Sequence, residues 1–148
     1  MPVQTAAAQT WFGAVNEDGS FSILARVCAL SGSGSEMAVG EGKVIQQADV
    51  SAITAPVYLL GTNKNNTSGT VVTPALAPTA AANIFDTLRT VGWPTVDDKH
   101  GYNFRLDLGP TYTATGGQWY LVEIKITLTD GTVIQLPVKV KTQLMQTS

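Results

Sequence analysis

Apolar and polar residues alternate with a period of two over most of the C-terminal third of the chain, in residues 118–129 and again in 132–141. Successive side chains of a strand point to opposite faces, so this pattern predicts two strands, each buried on one face. Asp130-Gly131 lies between them and favours a two-residue hairpin turn. The predicted inward residues are Tyr120, Val122, Ile124, Ile126, Leu128, Ile134, Leu136, Val138 and Val140.

The N-terminal part of the chain predicts a second hairpin. Trp11 and Phe12 open a strand, and Asp18-Gly19 supplies the positive φ of a tight turn. The return strand, Phe21–Leu30, is apolar at nearly every position. Such a run is typical of a central strand buried on much of both faces, and we expect its cysteine, Cys28, to be buried and inert.

Shorter patterns predict strands over residues 43–47, 52–60, 70–76 and 102–108, with an exposed turn at 61–69. Pro56 cannot donate a ladder hydrogen bond, which places the second of these strands at an edge or a bulge. In 102–108 the aromatic and leucine residues alternate with Asn103, Arg105 and Asp107, which we expect to face outward.

Residues 79–91 carry the one helical pattern. Thr79 is a suitable N-cap and Gly92 a suitable C-terminal stop. We expect Phe85 and Trp93 to anchor this helix over an open end of the fold rather than to line a ligand pocket. The residues that recur at helical spacing are Ala81, Ile84, Phe85, Leu88 and Val91.

Many short strands with one short helix predict an all-β fold, an immunoglobulin-like antiparallel β-sandwich formed by a single domain over residues 11–142. The Cys–Trp–Cys arrangement of antibody domains is absent, so only the architecture is predicted. Residues 1–10 have no periodicity and are interpreted as an extended N-terminal arm, with 143–148 as a C-terminal tail.

Charged residues make up 14% of the chain and hydrophobic residues 44%, against an average of about 25% charged. A surface so poor in charge indicates that other chains cover part of it. Trp119 and Leu121 fall on the outward face of their strand, where they need a cover. Either the helix or arm of the same chain supplies it, or this face is a subunit interface. The predicted interface residues are Trp11, Phe12, Trp119 and Leu121.

The sequence offers no catalytic machinery, and we predict neither an enzyme nor a cofactor. Nucleophilic catalysis needs a base beside the nucleophile, and the single histidine, His100, lies in an Asp-rich turn. One histidine and one cysteine cannot form a structural zinc site. Asp97, Asp98 and Asp107 raise calcium as an alternative, but their spacing is not that of an EF-hand, and such a turn is normally solvated.

Other ligand classes are also disfavoured. A net charge of −2 without a basic cluster excludes nucleic acid as a partner. The N-terminus does not have the pattern of a signal peptide, and no apolar run is long enough to span a membrane. The glycine-rich segment 31–42 fits neither a P-loop nor a dinucleotide fingerprint and is interpreted as a mobile linker.

Several motifs resemble those of small virion-associated proteins of phages and phage-like gene clusters: Ile84–Leu88, Trp93, Gly101–Arg105, Trp119–Glu123 and Asp130-Gly131. The resemblance covers about residues 20–142, and Ser31–Gly42 looks like an insertion. It implies an accessory role, such as a capsid decoration (cement) protein or a head–tail or tail component. Its partners would be other virion subunits and copies of itself, and its location a virion assembled in the host cytoplasm.

A second hypothesis is a carbohydrate- or receptor-binding sandwich. Aromatic side chains on strands and loops can serve as stacking platforms for a ligand, and Tyr58, Tyr112 and Trp119 are the candidates. The two hypotheses differ in what the surface binds, and both are non-enzymatic.

Overall fold

The computed structural model describes residues 11–34, 36–38, 42–93 and 101–144, with side chains for all of these except residues 11, 12 and 36–38. Strands account for 51% of the structure and helices for 9%, which confirms the all-β class. The strands are β1 (Trp11–Asn16), β2 (Phe21–Ala25), β3 (Cys28–Ala29), β4 (Glu36–Ala38), β5 (Gly42–Val44), β6 (Val50–Thr54), β7 (Val57–Gly61), β8 (Thr70–Val71), β9 (Ile84–Arg89), β10 (Tyr102–Leu108), β11 (Trp119–Leu128) and β12 (Val133–Gln143). The helix α1 spans Ala80–Asn83, and short 3-10 turns cover Gln47–Asp49 and Pro110–Thr113.

The strands form two sheets that face each other and a small third one. The large sheet has the order β1-β12-β11-β7-β8, and β6 also pairs with β11. The second sheet has the order β2-β10-β9, and the third the order β3-β5-β4. Within these sheets β1 runs parallel to β12 and the other pairs are antiparallel. One core cluster contains residues of both main sheets, as a sandwich requires.

The strand order follows the immunoglobulin-like arrangement. Strands β12, β11 and β7 take the places of G, F and C in one sheet, and β2, β10 and β9 those of B, E and D in the other. Near the start of β11 the hydroxyl of Tyr120 accepts a hydrogen bond from the backbone N–H of Thr115 at 3.0 Å. This contact corresponds to the tyrosine corner of such folds.

The hairpin of β11 and β12 is confirmed. The strands pair from Trp119↔Lys141 to Thr127↔Val133, and Gly131 has a φ of 91° in the turn. All the residues predicted to face inward on these two strands are buried. Their shared face forms one wall of the core.

The predicted N-terminal hairpin is wrong. The turn exists, with Asp18 at a φ of 55° and a hydrogen bond from Gly19 N–H to Asn16 O at 3.0 Å. It carries the chain from one sheet to the other, because β1 pairs with β12 and β2 with β10. Strand β2 is also not a central strand: Ile23 and Ala25 are buried while the residues between and beside them are not.

The helix predicted over residues 79–91 is also largely wrong. Thr79 caps α1, its hydroxyl accepting from the N–H of Ala82 at 3.2 Å, but the backbone is already extended at Ile84. Residues 84–89 form β9, which pairs with β10. β-Branched and aromatic residues suit a strand as well as a helix, and the ladder with β10 decides in favour of the strand.

Phe85 and Trp93 pack around one ring instead of anchoring a helix. Both contact Tyr102, with ring centroids 6.0 Å and 5.8 Å away respectively, and the guanidinium of Arg89 lies 4.0 Å from the centre of the Phe85 ring. The hydroxyl of Tyr102 donates to Val91 O at 2.9 Å. The cluster closes one end of the second sheet.

The predicted strands between residues 43 and 76 are partly confirmed. The segment 52–60 is interrupted at Pro56, whose carbonyl accepts from Glu123 N–H at 3.0 Å, so β6 and β7 pair separately with β11. This is the irregularity that the proline predicted. The turn at 61–69 is largely exposed, and in 70–76 only Thr70–Val71 form a strand.

Part of the glycine-rich segment belongs to strands rather than to a linker; residues 35 and 39–41 lie outside the described part. Strands β4 and β5 pair within and beside it, and β5 pairs with β3, which contains the half-buried Cys28. Gly32 is required by close packing, because a Cβ there would lie 2.3 Å from Lys43 O. The carboxylate of Asp49 accepts hydrogen bonds from Ser33 N–H and Oγ at 3.0 Å and 2.9 Å.

Asn103 joins this small sheet to the sandwich. Predicted to face outward, it is instead fully buried. Its Oδ1 accepts from Val27 N–H at 2.7 Å, and its Nδ2 donates to the carbonyls of Val27 and Ile45, both at 3.0 Å. The Asn103 amide therefore provides hydrogen-bond partners for buried backbone groups just after Ala25, where the β2–β10 ladder ends.

We expect Asn103→Ala to destabilise the fold by about 2–4 kcal/mol, because buried Val27 N–H and Ile45 O lose their partner. Chemical denaturation measures the free energy of unfolding. The control Asn65→Ala, on the exposed turn, should change it by less than about 0.5 kcal/mol. A loss at Asn103 no larger than in the control would show that water replaces the amide.

Candidate interaction surface

The outer face of the large sheet carries a continuous row of paired positions across five strands. Val71 on β8 lies opposite Tyr58 on β7, Tyr58 opposite Leu121 on β11, Leu121 opposite Lys139 on β12, and Lys139 opposite Phe12 on β1. We call these five positions the cross-sheet row. Paired residues on adjacent strands share a face, so the row brings together side chains that are far apart in sequence.

The apolar members of the cross-sheet row are only partly covered. Tyr58 and Leu121 are half-buried, and Val71 is 53% exposed. The adjacent position of β11 on the same face, Trp119, is also half-buried and pairs with Lys141. An apolar strip in the middle of an outward face is typical of an interaction site rather than of a monomer's solvated surface.

The turn at 61–69 supplies part of the cover. Lys139 Nζ donates to Lys64 O at 2.6 Å, and Asn66 Nδ2 donates to Leu60 O at 2.9 Å. Together they hold the turn beside the cross-sheet row and bound a cavity of 360 Å³. Its wall includes Tyr58, Asn65, Leu121 and Glu123. The helix, one of the two predicted covers, is not among the lining residues.

The structure brings some of the predicted interface residues together. Leu121 and Phe12 belong to the same row, and Trp119 is two residues from Leu121 on the same strand face. Trp11 on β1 pairs with Val138 on β12, and the side chains of Trp11 and Phe12 lie outside the described part. Tyr58 and Lys139 were missed as neighbours of Leu121, because no local pattern states that β7 and β12 flank β11.

The three aromatic residues of the carbohydrate hypothesis do not form one platform. Tyr58 lines the cavity beside the cross-sheet row. Tyr112 lies in the 3-10 turn Pro110–Thr113 and packs against the core cluster. Trp119 is on the same sheet face as Tyr58 but does not line the cavity. Of the three, Tyr58 lines the cavity.

The outer face of the second sheet carries an ion pair. Arg105 Nε lies 2.8 Å from Asp107 Oδ1, and the hydroxyl of Ser22, opposite on β2, donates to the same carboxylate. Hydrogen bonds from Arg105 and then Ser22 hold the pKa of Asp107 below its ordinary value of 3.8. The prediction that Arg105 and Asp107 face outward is confirmed.

Within the described ranges, no three His, Cys, Asp or Glu residues come together in a way that could hold a metal ion. Asp97, Asp98 and His100 lie outside those ranges, so calcium at that turn stays an open alternative. The described part of the chain also contains no helix long and apolar enough to cross a bilayer.

No family model matches the chain, and neither the search of curated proteins nor the search of solved structures found a match.

We expect Asp107→Asn to lower the melting temperature slightly at pH 7, by the equivalent of about 0.5 kcal/mol for a solvent-exposed pair. A folded-state pKa below the unfolded value gives stability that is present above about pH 3.8 and lost as the pH falls through the folded value. The difference from the natural sequence should therefore vanish in acid. Melting curves from pH 7 to pH 2 measure it, with Ser22→Ala as an intermediate case; a pH-independent difference would contradict the assignment.

Proposed function

We propose that this chain is a non-enzymatic structural protein of a phage particle, either a capsid decoration subunit or a head–tail or tail accessory subunit. It binds neighbouring virion subunits and copies of itself through its sheet surfaces and its N-terminal arm. The observation that carries the proposal is the cross-sheet row, a partly exposed apolar strip on the outer face of the largest sheet.

The physical support comes from the low fraction of charged residues and from the apolar side chains on the outer face of the large sheet. With 14% charged residues, the chain has few groups that oppose association. Aromatic and large aliphatic side chains at the centre of a flat face, ringed by polar ones, are the arrangement of interface hot spots. In the row, Tyr58 and Leu121 occupy the centre, and Lys139 lies at the next position.

The phage assignment within this class is supported by the sequence resemblance. The residues that carry it in β9, β10 and β11 are core and ladder residues, such as Ile84, Phe104 and Val122. These residues support a fold shared with the phage proteins. The choice of partner depends on the exposed residues instead.

The cavity beside the row supports a second candidate function, the binding of a carbohydrate. Its volume of 360 Å³ suits one or two sugar rings. The ring of Tyr58 offers a stacking surface, while the amide of Asn65 and the carboxylate of Glu123 offer hydrogen bonds to hydroxyls.

Particles released by the organism that encodes the chain provide the direct test. We expect mass spectrometry of density-purified particles to detect the chain at a fixed ratio to the major subunit. Washing at high salt should not remove it, because apolar contacts are not screened by salt. Finding the chain only in the soluble fraction would refute the proposed function.

We expect Leu121→Thr to weaken binding to those particles at least tenfold, the equivalent of about 1.4 kcal/mol, because it removes apolar contact at the centre of the row. Gln135→Thr, an exposed position on the same sheet face, is the matched control. Co-sedimentation measures both, and circular dichroism checks that both variants fold. Equal binding by the two variants would exclude the row as the contact.

For the second candidate, a glycan array probes the chain at high concentration. We expect Tyr58→Ala to abolish any glycan signal, because it removes the stacking surface. Tyr112→Ala, remote from the cavity, is the control and should keep the signal if it folds. Absence of any signal for the natural sequence would exclude the candidate.

A further inference from the structure

An apolar groove lies at the side of the sandwich, between the edge strands of the two main sheets. Strand β1 is an edge of the large sheet and β2 an edge of the second sheet. The groove between them has a volume of 410 Å³. Gly13 and Val15 of β1, Phe21 and Ile23 of β2, and Val138 and Val140 of β12 contribute to its lining.

The floor of this groove is a less completely covered part of the core. Ile23 and Val138 each retain 7% exposure, whereas Leu136 on the same strand as Val138 has 0%. Gly13 lies directly opposite Val140, and a Cβ at Gly13 would be 3.4 Å from the Val140 side chain. A residue without a side chain thus leaves the floor open.

The backbone beside the groove is open to pairing as well. In the described ranges β2 pairs with β10 on one edge and with no strand on the other, and β1 pairs only with β12. Unpaired strand edges are sites at which another extended segment adds, with main-chain hydrogen bonds giving affinity and pockets receiving alternate side chains.

The ten residues that precede β1 have the chemistry of such a segment. Residues 3–10 read Val-Gln-Thr-Ala-Ala-Ala-Gln-Thr, without charge and without proline. Because alternate residues of a strand share a face, the three consecutive alanines place a small apolar side chain toward the floor in either register. Fully extended, ten residues reach about 33 Å, enough to extend well beyond their own domain.

The arm of the same chain is poorly placed to fill this groove. It joins β1 at Trp11, and β1 itself forms one wall, so the arm would have to reverse direction to lie beside Gly13–Val15. Residues 3–10 contain no Gly, Pro, Asn or Asp, the residues that form tight turns. The arm of a second copy meets no such restriction.

We propose that the groove between β1 and β2 binds the N-terminal arm of a second copy of this chain, which adds as a strand along β2. The inference rests on the proposed function, in which copies of the chain bind each other. It adds the surface that receives the arm, the groove between β1 and β2. The cross-sheet row stays available to other subunits, because it lies on the outer face of the large sheet.

Two full-length variants separate the arm from the groove. Gly13→Leu places a side chain over Val140 and blocks the groove while keeping the arm. The double variant Ala6→Pro/Ala7→Pro keeps the groove and disables the arm, because adjacent N–H groups of a strand point to opposite edges and proline removes both. Asn16→Leu is the control for Gly13→Leu, since Asn16 pairs with the exposed Gln143 on the other face of β1 and does not line the groove.

Light scattering after size exclusion measures the mass of each protein. We expect the natural sequence and Asn16→Leu to associate with rising concentration, and both blocking variants to remain at the 15.6 kDa of one chain. A mixture of the two blocking variants should form a complex of two chains and no larger species, because only one arm and one groove are functional. A monomeric natural sequence, or a mixture that stays monomeric, would overturn the inference.

Hydrogen exchange of the natural sequence gives a readout that does not depend on how the variants fold. We expect the amides of Phe21–Leu24 to gain protection as the concentration rises through the association range, at least tenfold for those on the open edge of β2. Protection that is independent of concentration would mean that the same chain covers the edge, and would overturn the inference. If the chain is found in particles but its arm does not bind the groove of a second copy, the inference fails and the proposed function stands.

Discussion

Strand β11 holds the large sheet together, and most of the structure depends on its pairing. One edge of β11 forms a long regular ladder with β12, and the other edge pairs with both β6 and β7. Its even-numbered residues from Tyr120 to Leu128 are all buried in the core. A slip of one residue would exchange the buried and exposed faces of the strand, so the burial of these side chains fixes the register of both neighbours.

The same register decides what the outside of the molecule presents. Once Tyr120 and Val122 face the core, Leu121 must face outward, and the ladders place Tyr58 and Lys139 on either side of it. The candidate interaction surface is thus a consequence of core packing. Its apolar members are not needed by the core, which is why a role in association is the most economical account of them.

The second sheet depends on a buried polar group. Asn103 satisfies backbone atoms of Val27 and Ile45, so the chain can leave one ladder and start the small third sheet without leaving buried polar groups unpaired. Tyr120 and the aromatic cluster around Tyr102 cover parts of the sandwich. The side between β1 and β2 is not covered and forms the groove. Polar satisfaction and aromatic packing therefore determine where the two main sheets are closed, and the outer edges of β1 and β2 have no strand partner within the described part of the chain.

The amino-acid sequence by itself determined the all-β class, the final hairpin with its inward residues, and the outward placement of Trp119, Leu121, Arg105 and Asp107, because periodicity and turn chemistry are local signals. Tertiary structure decided the rest. The turn at Asp18-Gly19 was recognised, but whether it joins two paired strands or two sheets depends on the partners that β1 and β2 find elsewhere. Residues 84–89 form a strand because they pair with β10. Asn103 is buried because its amide hydrogen-bonds to backbone groups of Val27 and Ile45. The cross-sheet row and the groove share this origin: each consists of residues from strands far apart in the chain, and no local pattern encodes which strands become neighbours.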